Sequence, residues 1–137
     1  MSSEELKKRT KKFSLDIIEF YNLLPKTNLG KVIGNQLLRS ATYLGANYRE
    51  ACRAKSSADF IYKIKIIEEE ADESLYWLEL IEESELANKE LLNPLLKEAD
   101  ELTAIFTSIG KTLKNKSKIQ CPNGYEIELS RNFGSGL

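Results

Sequence analysis

Residues 35–60, NQLLRSATYLGANYREACRAKSSADF, decide the fold of this chain. In and just before this stretch, apolar residues recur at alternating spacings of three and four, the pattern that keeps one face of an α-helix turned toward a partner. The apolar stripe consists of Ile33, Leu37, Ala41, Leu44, Tyr48 and Ala51. A mostly polar stripe runs beside it and consists of Gln36, Ser40, Tyr43, Asn47 and Glu50. The two stripes predict a helix that contacts the core on one face and meets another helix, another subunit or a ligand at its flank.

Three further segments show the same spacing, so the sequence predicts four helices. The first is expected over residues 4–24 and ends before Pro25, because proline disfavours helical geometry in the residue that precedes it. The second is expected over about residues 29–55. Either Thr27 or Asn28 can cap it by accepting a hydrogen bond from its first turn.

The third and fourth helices follow after short breaks. The third is expected over about residues 58–85, with Ser57 as its N-cap. The fourth is expected from Asn93-Pro94 to about residue 115, because proline suits the first position of a helix. Residues 86–92 fit a loop, a short turn or an early start of the fourth helix.

The predicted fold class is therefore all-α, an antiparallel up-down-up-down four-helix bundle over residues 1–116. Residues 117–137 are predicted to form a short irregular C-terminal tail. In this tail, a Pro-Asn-Gly turn precedes an alternation of apolar and acidic residues at Tyr125, Glu126, Ile127, Glu128 and Leu129. A lone strand is not stable on a helical body, so we expect a loosely attached tail that only a partner would order.

Composition favours one cytoplasmic domain without enzymatic chemistry. The chain has 137 residues, of which 42% are apolar and 30% charged, typical of a soluble domain with a single core. It lacks both the run of about 18 apolar residues that spans a membrane and the apolar centre of a signal peptide. Because histidine is absent, Ser-His and Cys-His nucleophile systems and His-based zinc sites are excluded. Cys52 and Cys121 are interpreted as reduced thiols, and no cofactor or metal is expected.

The formal net charge of −1 hides a segregated distribution of charge. In the predicted topology, the first and third helices begin where the second and fourth helices end. That end collects most of the 20 basic residues, namely Lys7, Lys8, Arg9, Lys11, Lys12, Arg49, Arg53, Lys55, Lys63, Lys65, Lys111, Lys114, Lys116 and Lys118. The opposite half carries Glu68, Glu69, Glu70, Asp72, Glu73, Glu79, Glu82, Glu83, Glu85 and Glu90.

The basic end is predicted to bind the phosphates of nucleic acid, because clustered cations release counterions from the phosphate backbone. The predicted contacts are Arg49, Arg53, Lys55, Lys111, Lys114 and Lys116. In the alternative interpretation, cations near helix C-termini serve only solubility and the helix dipoles. That alternative suits the end of the fourth helix, but it does not explain the cations at residues 7–12, which lie at a helix N-terminus.

Two groups of residues resemble a known family. The first contains Gln36-Leu37-Leu38-Arg39-Ser40-Ala41, Gly45-Ala46-Asn47, Glu50 and Asp59-Phe60; the second contains Glu69, Ala71, Glu73, Ser74 and Tyr76-Trp77-Leu78-Glu79-Leu80. Over about residues 13–115 the chain resembles the 23S rRNA intervening-sequence proteins, although Ala51 stands where many members have glycine. The resemblance implies an antiparallel four-helix bundle, commonly a homopentamer, in the bacterial cytoplasm. It also implies a link to nucleic acid, since related proteins bind it when they assist diversity-generating reverse transcriptases.

We therefore expect a non-enzymatic oligomeric bundle that binds nucleic acid, in particular structured RNA. The polar stripe is assigned to the oligomer interface through Arg39, Ser40, Tyr43, Asn47 and Glu50. An internal polar seam within one chain is the alternative for these residues. The alternative function is a scaffold that recruits a protein partner through exposed apolar residues such as Leu15, Ile18 and Ile105.

Overall fold

The computed structural model describes the backbone of residues 1–120 and the side chains of residues 1–115. The described chain forms four helices, α1 (Ser3–Leu23), α2 (Asn28–Ala51), α3 (Ser57–Glu83) and α4 (Lys89–Gln120). Consecutive helices pack side by side, and α1 also contacts α4. With such short connections, neighbouring helices are antiparallel, so the predicted all-α four-helix bundle is confirmed. The helix α4 extends past residue 116 into the predicted tail, and the rest of that tail lies outside the described residues.

Hydroxyl side chains cap the first three helices. The Ser2 side chain caps α1, and Thr27 Oγ1 accepts a hydrogen bond from the Gly30 N–H at 3.2 Å, which settles the choice between the two predicted caps of α2. The N-cap of α3 is Ser56, whose Oγ accepts from the backbone N–H of the third residue after it at 3.1 Å. The predicted cap at Ser57 is therefore wrong by one position, because two adjacent serines offer the same hydroxyl.

The fourth helix begins before Asn93-Pro94, so the predicted start there is wrong. Of the three possibilities for residues 86–92, the structure shows the early start of this helix. Its first helical residue is Lys89, and Asn88 supplies the cap: the Asn88 side chain accepts from the Glu90 N–H at 2.7 Å. Pro94 lies inside the helix and cannot donate to the preceding turn. The fully buried Leu92 holds that turn against the core, so burial of the first turn outweighs one missing hydrogen bond.

A left-handed residue ends α3. Glu85 has a φ of 58°, and the backbone N–H groups of Glu85 and Leu86 donate to the carbonyls of Glu82 and Ile81, each at 3.1 Å. These two bonds form a Schellman motif, which normally places glycine at the left-handed position. The predicted third helix, extended to residue 85, and the predicted second helix, extended to residue 55, both end a few residues sooner.

The core contains the predicted apolar stripes. Fully buried members from the four helices include Phe13, Ile17, Leu37, Leu44, Ile64, Ile67, Leu78, Leu102 and Phe106. Two apolar residues of α3 at helical spacing with this core, Phe60 and Leu75, are only partly buried and pack against it. The core thus fills the space between the helices and leaves their termini to shape the surface at each end.

Candidate nucleic-acid interface

The four helices meet at one end around a cavity of about 680 Å³, lined by residues from every helix, including Leu6, Tyr48, Phe60 and Leu113. We call it the end cavity. Its lining confirms that α1 and α3 begin where α2 ends and α4 passes, as the predicted topology requires. Burial raises the pKa of Tyr48, whose hydroxyl lies 3.2 Å from Ser3 Oγ.

A groove beside this end separates the outer surfaces of α1 and α2. It has a volume of about 460 Å³ and is lined by small residues, Ser14, Thr42, Gly45 and Ala46, and by longer charged ones, Glu4, Lys7, Lys8, Lys11, Arg49 and Arg53. We call it the α1–α2 groove. Basic side chains from two helices therefore face one depression of the surface.

Close packing of the two helices creates the narrow floor of this groove. Ser14 Oγ donates to the Ala41 carbonyl on α2 at 2.9 Å. A Cβ atom at Gly45 would lie 3.1 Å from Ser14 Oγ and 3.4 Å from the Thr10 carbonyl oxygen. Only a residue without a side chain fits this separation without displacing its neighbour. The small residues thus bring the two basic walls close together.

Ion pairs divide the cations of α1 into two groups. Arg9 binds Glu98 through two hydrogen bonds of 2.7 Å and Glu101 through one of 2.6 Å, and these partners raise its pKa. Arg9 therefore ties α1 to α4 and is occupied. Lys7 pairs with Glu4 at 2.8 Å.

The remaining cations of the groove have no such partner. Lys8, Lys11, Arg49 and Arg53 form no ion pair with any residue whose side chain is described, and all four are exposed. Arg49 lies in the last turn of α2, where the helix dipole favours a cation, whereas Lys8 and Lys11 lie beyond the first turn of α1, where the dipole has little effect. The dipole therefore does not account for the two lysines, and the cluster is consistent with an anionic ligand in the groove.

The predicted phosphate contacts do not form one patch. Arg49 and Arg53 line the α1–α2 groove, and Lys55 lines the end cavity. Lys111 and Lys114 lie between α3 and α4 beside Lys65, on the far side of a bundle in which consecutive helices are neighbours. The side chain of Lys116 lies outside the described residues.

The predicted contact set omitted Lys7, Lys8 and Lys11, which complete the groove from the α1 side. A signal for them was present in the sequence, where they belong to a run of five cations over residues 7–12. The set grouped residues by the end of the bundle on which they lie. Which groove each side chain enters depends on the rotation of its helix, and that became visible only in the structure.

Two residues of the predicted oligomer interface face α3 within the same chain. Ser40 is fully buried, and its hydroxyl lies 2.9 Å from the Ser74 hydroxyl. Arg39 hydrogen-bonds Glu73 and approaches Glu70 at 3.8 Å. Ser40 thus belongs to an internal polar seam, the alternative assignment, and Arg39 neutralises carboxylates on the rim of that seam. Burial raises the pKa of Glu70, and the charge of Glu73 adds to this effect.

The other three residues of that stripe lie nearer the surface. Tyr43 is 51% exposed, and the Arg39 guanidinium lies 5.7 Å from the centre of its ring. Asn47 Nδ2 donates to the Tyr43 carbonyl at 2.8 Å, and Glu50 pairs with Lys63 at 3.2 Å. Exposed apolar and aromatic side chains continue along α2 and α3 at Leu29, Val32, Tyr62 and Tyr76. We call these four residues and Tyr43 the α2–α3 face.

Clusters of metal-ligating side chains and apolar helices of membrane-spanning length are both absent from the described part of the chain. No cluster of three or more histidine, cysteine, aspartate or glutamate side chains within residues 1–115 is arranged to hold a metal ion. None of the four described helices combines the length and apolar character needed to cross a membrane.

Comparison with known proteins supplies the family context of this geometry. The family model for "23S rRNA-intervening sequence protein" matches residues 3–108. A crystal structure of a protein of unknown function, from the S23 ribosomal protein family of Bacteroides thetaiotaomicron VPI-5482, is similar with a TM-score of 0.71. It shares 37% sequence identity, and the match covers 77% of this chain and 97% of that one. No curated protein matches. The matched range contains both walls of the α1–α2 groove.

Proposed function

Because the chain belongs to the 23S rRNA-intervening sequence protein family, we propose that it is a non-enzymatic, cytoplasmic bundle that binds nucleic acid, in particular structured RNA. The observation that carries the proposal is the α1–α2 groove, where exposed cations without ion-pair partners in the described chain line a narrow depression. Such cations retain their full capacity to bind phosphate, because no carboxylate has to be displaced first.

The spacing of the cations suits a phosphate backbone. Lys8 and Lys11 are three residues apart on α1, and Arg49 and Arg53 are four apart on α2. Residues three or four apart lie on one helix face with Cβ atoms about 5–6 Å apart. The groove therefore presents two short rows of positive charge, one on each wall. A phosphate backbone placed between them contacts both rows, and arginine can bind a phosphate through two parallel hydrogen bonds.

The α1–α2 groove and the site of Lys111 and Lys114 differ in the basic surface that they offer to a phosphate backbone. The α1–α2 groove combines lysines and arginines from two helices around a depression of about 460 Å³, whereas the site that contains Lys111 and Lys114 has a volume of about 20 Å³ and also contains Glu68. We assign primary binding to the α1–α2 groove. Lys111, Lys114 and Lys55 then provide secondary contacts for an RNA long enough to reach the end of the bundle.

Fluorescence anisotropy of a labelled rRNA fragment over a salt series tests this assignment. Neutralisation of roughly four phosphates gives a slope between about −3 for a single strand and about −4 for a duplex in a plot of log affinity against log salt. The variant Lys11→Glu/Arg49→Glu/Arg53→Glu should lose binding and flatten that slope. All three side chains are exposed, so circular dichroism should show an unchanged fold.

The matched control is Lys111→Glu/Lys114→Glu/Lys116→Glu, which reverses the same number of charges within α4. It should keep most of the affinity. Equal loss in both variants would show that only net charge matters. Absence of wild-type binding at low salt would refute the proposed function.

The family resemblance and the α2–α3 face support a homo-oligomer, with a homopentamer as the expected form. Tyr43 is 51% exposed and Val32 61% exposed, and aromatic side chains are enriched where subunits meet. Tyr43→Lys should lower the mass measured by sedimentation, whereas Leu15→Lys on α1 should not. An unchanged mass in Tyr43→Lys would exclude this face.

A protein-interaction scaffold is the second candidate function. Leu15 is 55% exposed and Ile18 is 40% exposed, and a spacing of three residues places them on one face of α1. Ile105 is partly buried against the core and therefore offers less surface. This candidate predicts that Leu15→Lys/Ile18→Lys abolishes capture of a protein partner while RNA binding is kept.

A further inference from the structure

The end cavity exposes apolar surface that the bundle itself does not cover. Elsewhere the core is closed, with many side chains fully buried. At this end, however, Phe60, Ile109 and Leu113 are only partly buried and line a cavity of about 680 Å³. Apolar surface that is exposed to water favours an occupant with apolar groups.

The chain itself passes this cavity on its way out of the bundle. Leu113 lines the cavity, and α4 continues to Gln120, which lies about 10 Å further along the helix axis. The segment that follows contains Pro122-Asn123-Gly124, residue types that favour a reversal of chain direction. Residues 125–129, if extended, span about 13 Å. That length is enough to return from the end of α4 to the mouth of the cavity.

The chemistry of this segment complements the cavity. Tyr125, Ile127 and Leu129 alternate with Glu126 and Glu128. Alternate residues of an extended segment point to opposite sides, so the three apolar side chains share one side and the two carboxylates the other. Lys55 lines the cavity, and Lys111 and Lys114 lie on the same stretch of α4. The apolar side thus matches the cavity floor, and the acidic side matches its basic surroundings.

We propose that residues 125–129 of this chain occupy the end cavity, with Tyr125, Ile127 and Leu129 against Phe60 and Leu113. The proposal does not rest on nucleic-acid binding. Docking covers the apolar end of the core and places two carboxylates beside the basic end of the bundle.

The reactivity of Cys52 reports whether the cavity is covered. Cys52 lines the cavity and is half-buried. Replacement of Cys121 by serine in the full chain leaves it as the single thiol, since the sequence has 2 cysteines. In this background, reaction with a maleimide should be slow with the natural tail. Ile127→Asp/Leu129→Asp should raise the rate at least about tenfold, which corresponds to about 1.4 kcal/mol of docking free energy.

The control Ser130→Asp/Asn132→Asp adds the same charge just beyond the docked segment and should leave the rate unchanged. Equal rates in the natural tail and in Ile127→Asp/Leu129→Asp would overturn the proposal. Protection that increases with protein concentration would also overturn it, because it would assign the cavity to the tail of a second copy. Circular dichroism of each variant distinguishes opening of the cavity from loss of the fold.

Discussion

Replacement of Gly45 by alanine tests the close approach of α1 and α2, on which the α1–α2 groove depends. In an open helix interior, glycine to alanine stabilises by about 1 kcal/mol. At Gly45, however, the new Cβ would lie 3.1 Å from Ser14 Oγ, which is held by its hydrogen bond to the Ala41 carbonyl at 2.9 Å. Displacement of that hydroxyl by a few tenths of an ångström weakens a hydrogen bond worth about 1 kcal/mol. The weakened bond offsets much of the gain, so Gly45→Ala should stabilise by less than about 0.5 kcal/mol.

A double-mutant cycle in urea separates the two effects. In a Ser14→Ala background the obstructing hydroxyl is absent, so Gly45→Ala should stabilise by about 1 kcal/mol. Gly110→Ala is the matched control, because a Cβ there would meet nothing closer than Glu68 Oε1 at 3.5 Å. It should stabilise equally in both backgrounds. If Gly45→Ala also stabilises equally in both, the close approach does not constrain this position and the reasoning is refuted.

Two further substitutions address the end of α3 and its polar seam. Glu85→Gly should raise the free energy of unfolding by about 0.5–1 kcal/mol in urea denaturation, because glycine adopts the φ of 58° without strain; an unchanged or lower value would contradict this. Burial raises the pKa of Glu70, so the folded state binds its proton more tightly than the unfolded state. Stability should therefore fall as pH rises from the ordinary glutamate pKa of about 4.3 to the raised folded value. Relative to Glu70→Gln, the wild type should lose stability across that window, and a pH-independent difference between the two would exclude the effect.

The helices and the core could be predicted because their signal is local. The three-four spacing that contains Leu37 and Leu44 depends only on helix geometry, and both side chains are fully buried. The boundaries are ambiguous in the sequence where two equivalent capping signals lie close together. Asn88 and Asn93 can each cap a helix. Burial of Leu92, a tertiary contact, favours the start at Asn88, whose side chain caps the helix in the structure.

The candidate site was only partly predictable because charge and pairing depend on long-range geometry. Connection lengths alone place the cations at one end of the bundle. The sequence does not show that Arg9 is held by Glu98, 89 residues away, and is therefore occupied. Nor does it show that Arg49 and Lys111 enter different grooves, since that depends on the rotation of each helix about its own axis.

The sparse packing between α1 and α4 makes the bundle an open array of helices more than a closed ring. α1 packs extensively on α2 but has few contacts with α4. Among the described side chains, Arg9 links α1 to α4 through ion pairs with Glu98 and Glu101. Segments with few packed neighbours open at the lowest free energy, so α1 is the helix that should detach first. Its departure removes one wall of the groove. A ligand that needs both walls therefore binds only the form in which α1 is packed on the bundle, and it stabilises that form by mass action. The hydrogen-exchange protection of the α1 amides then measures how fully the groove is occupied.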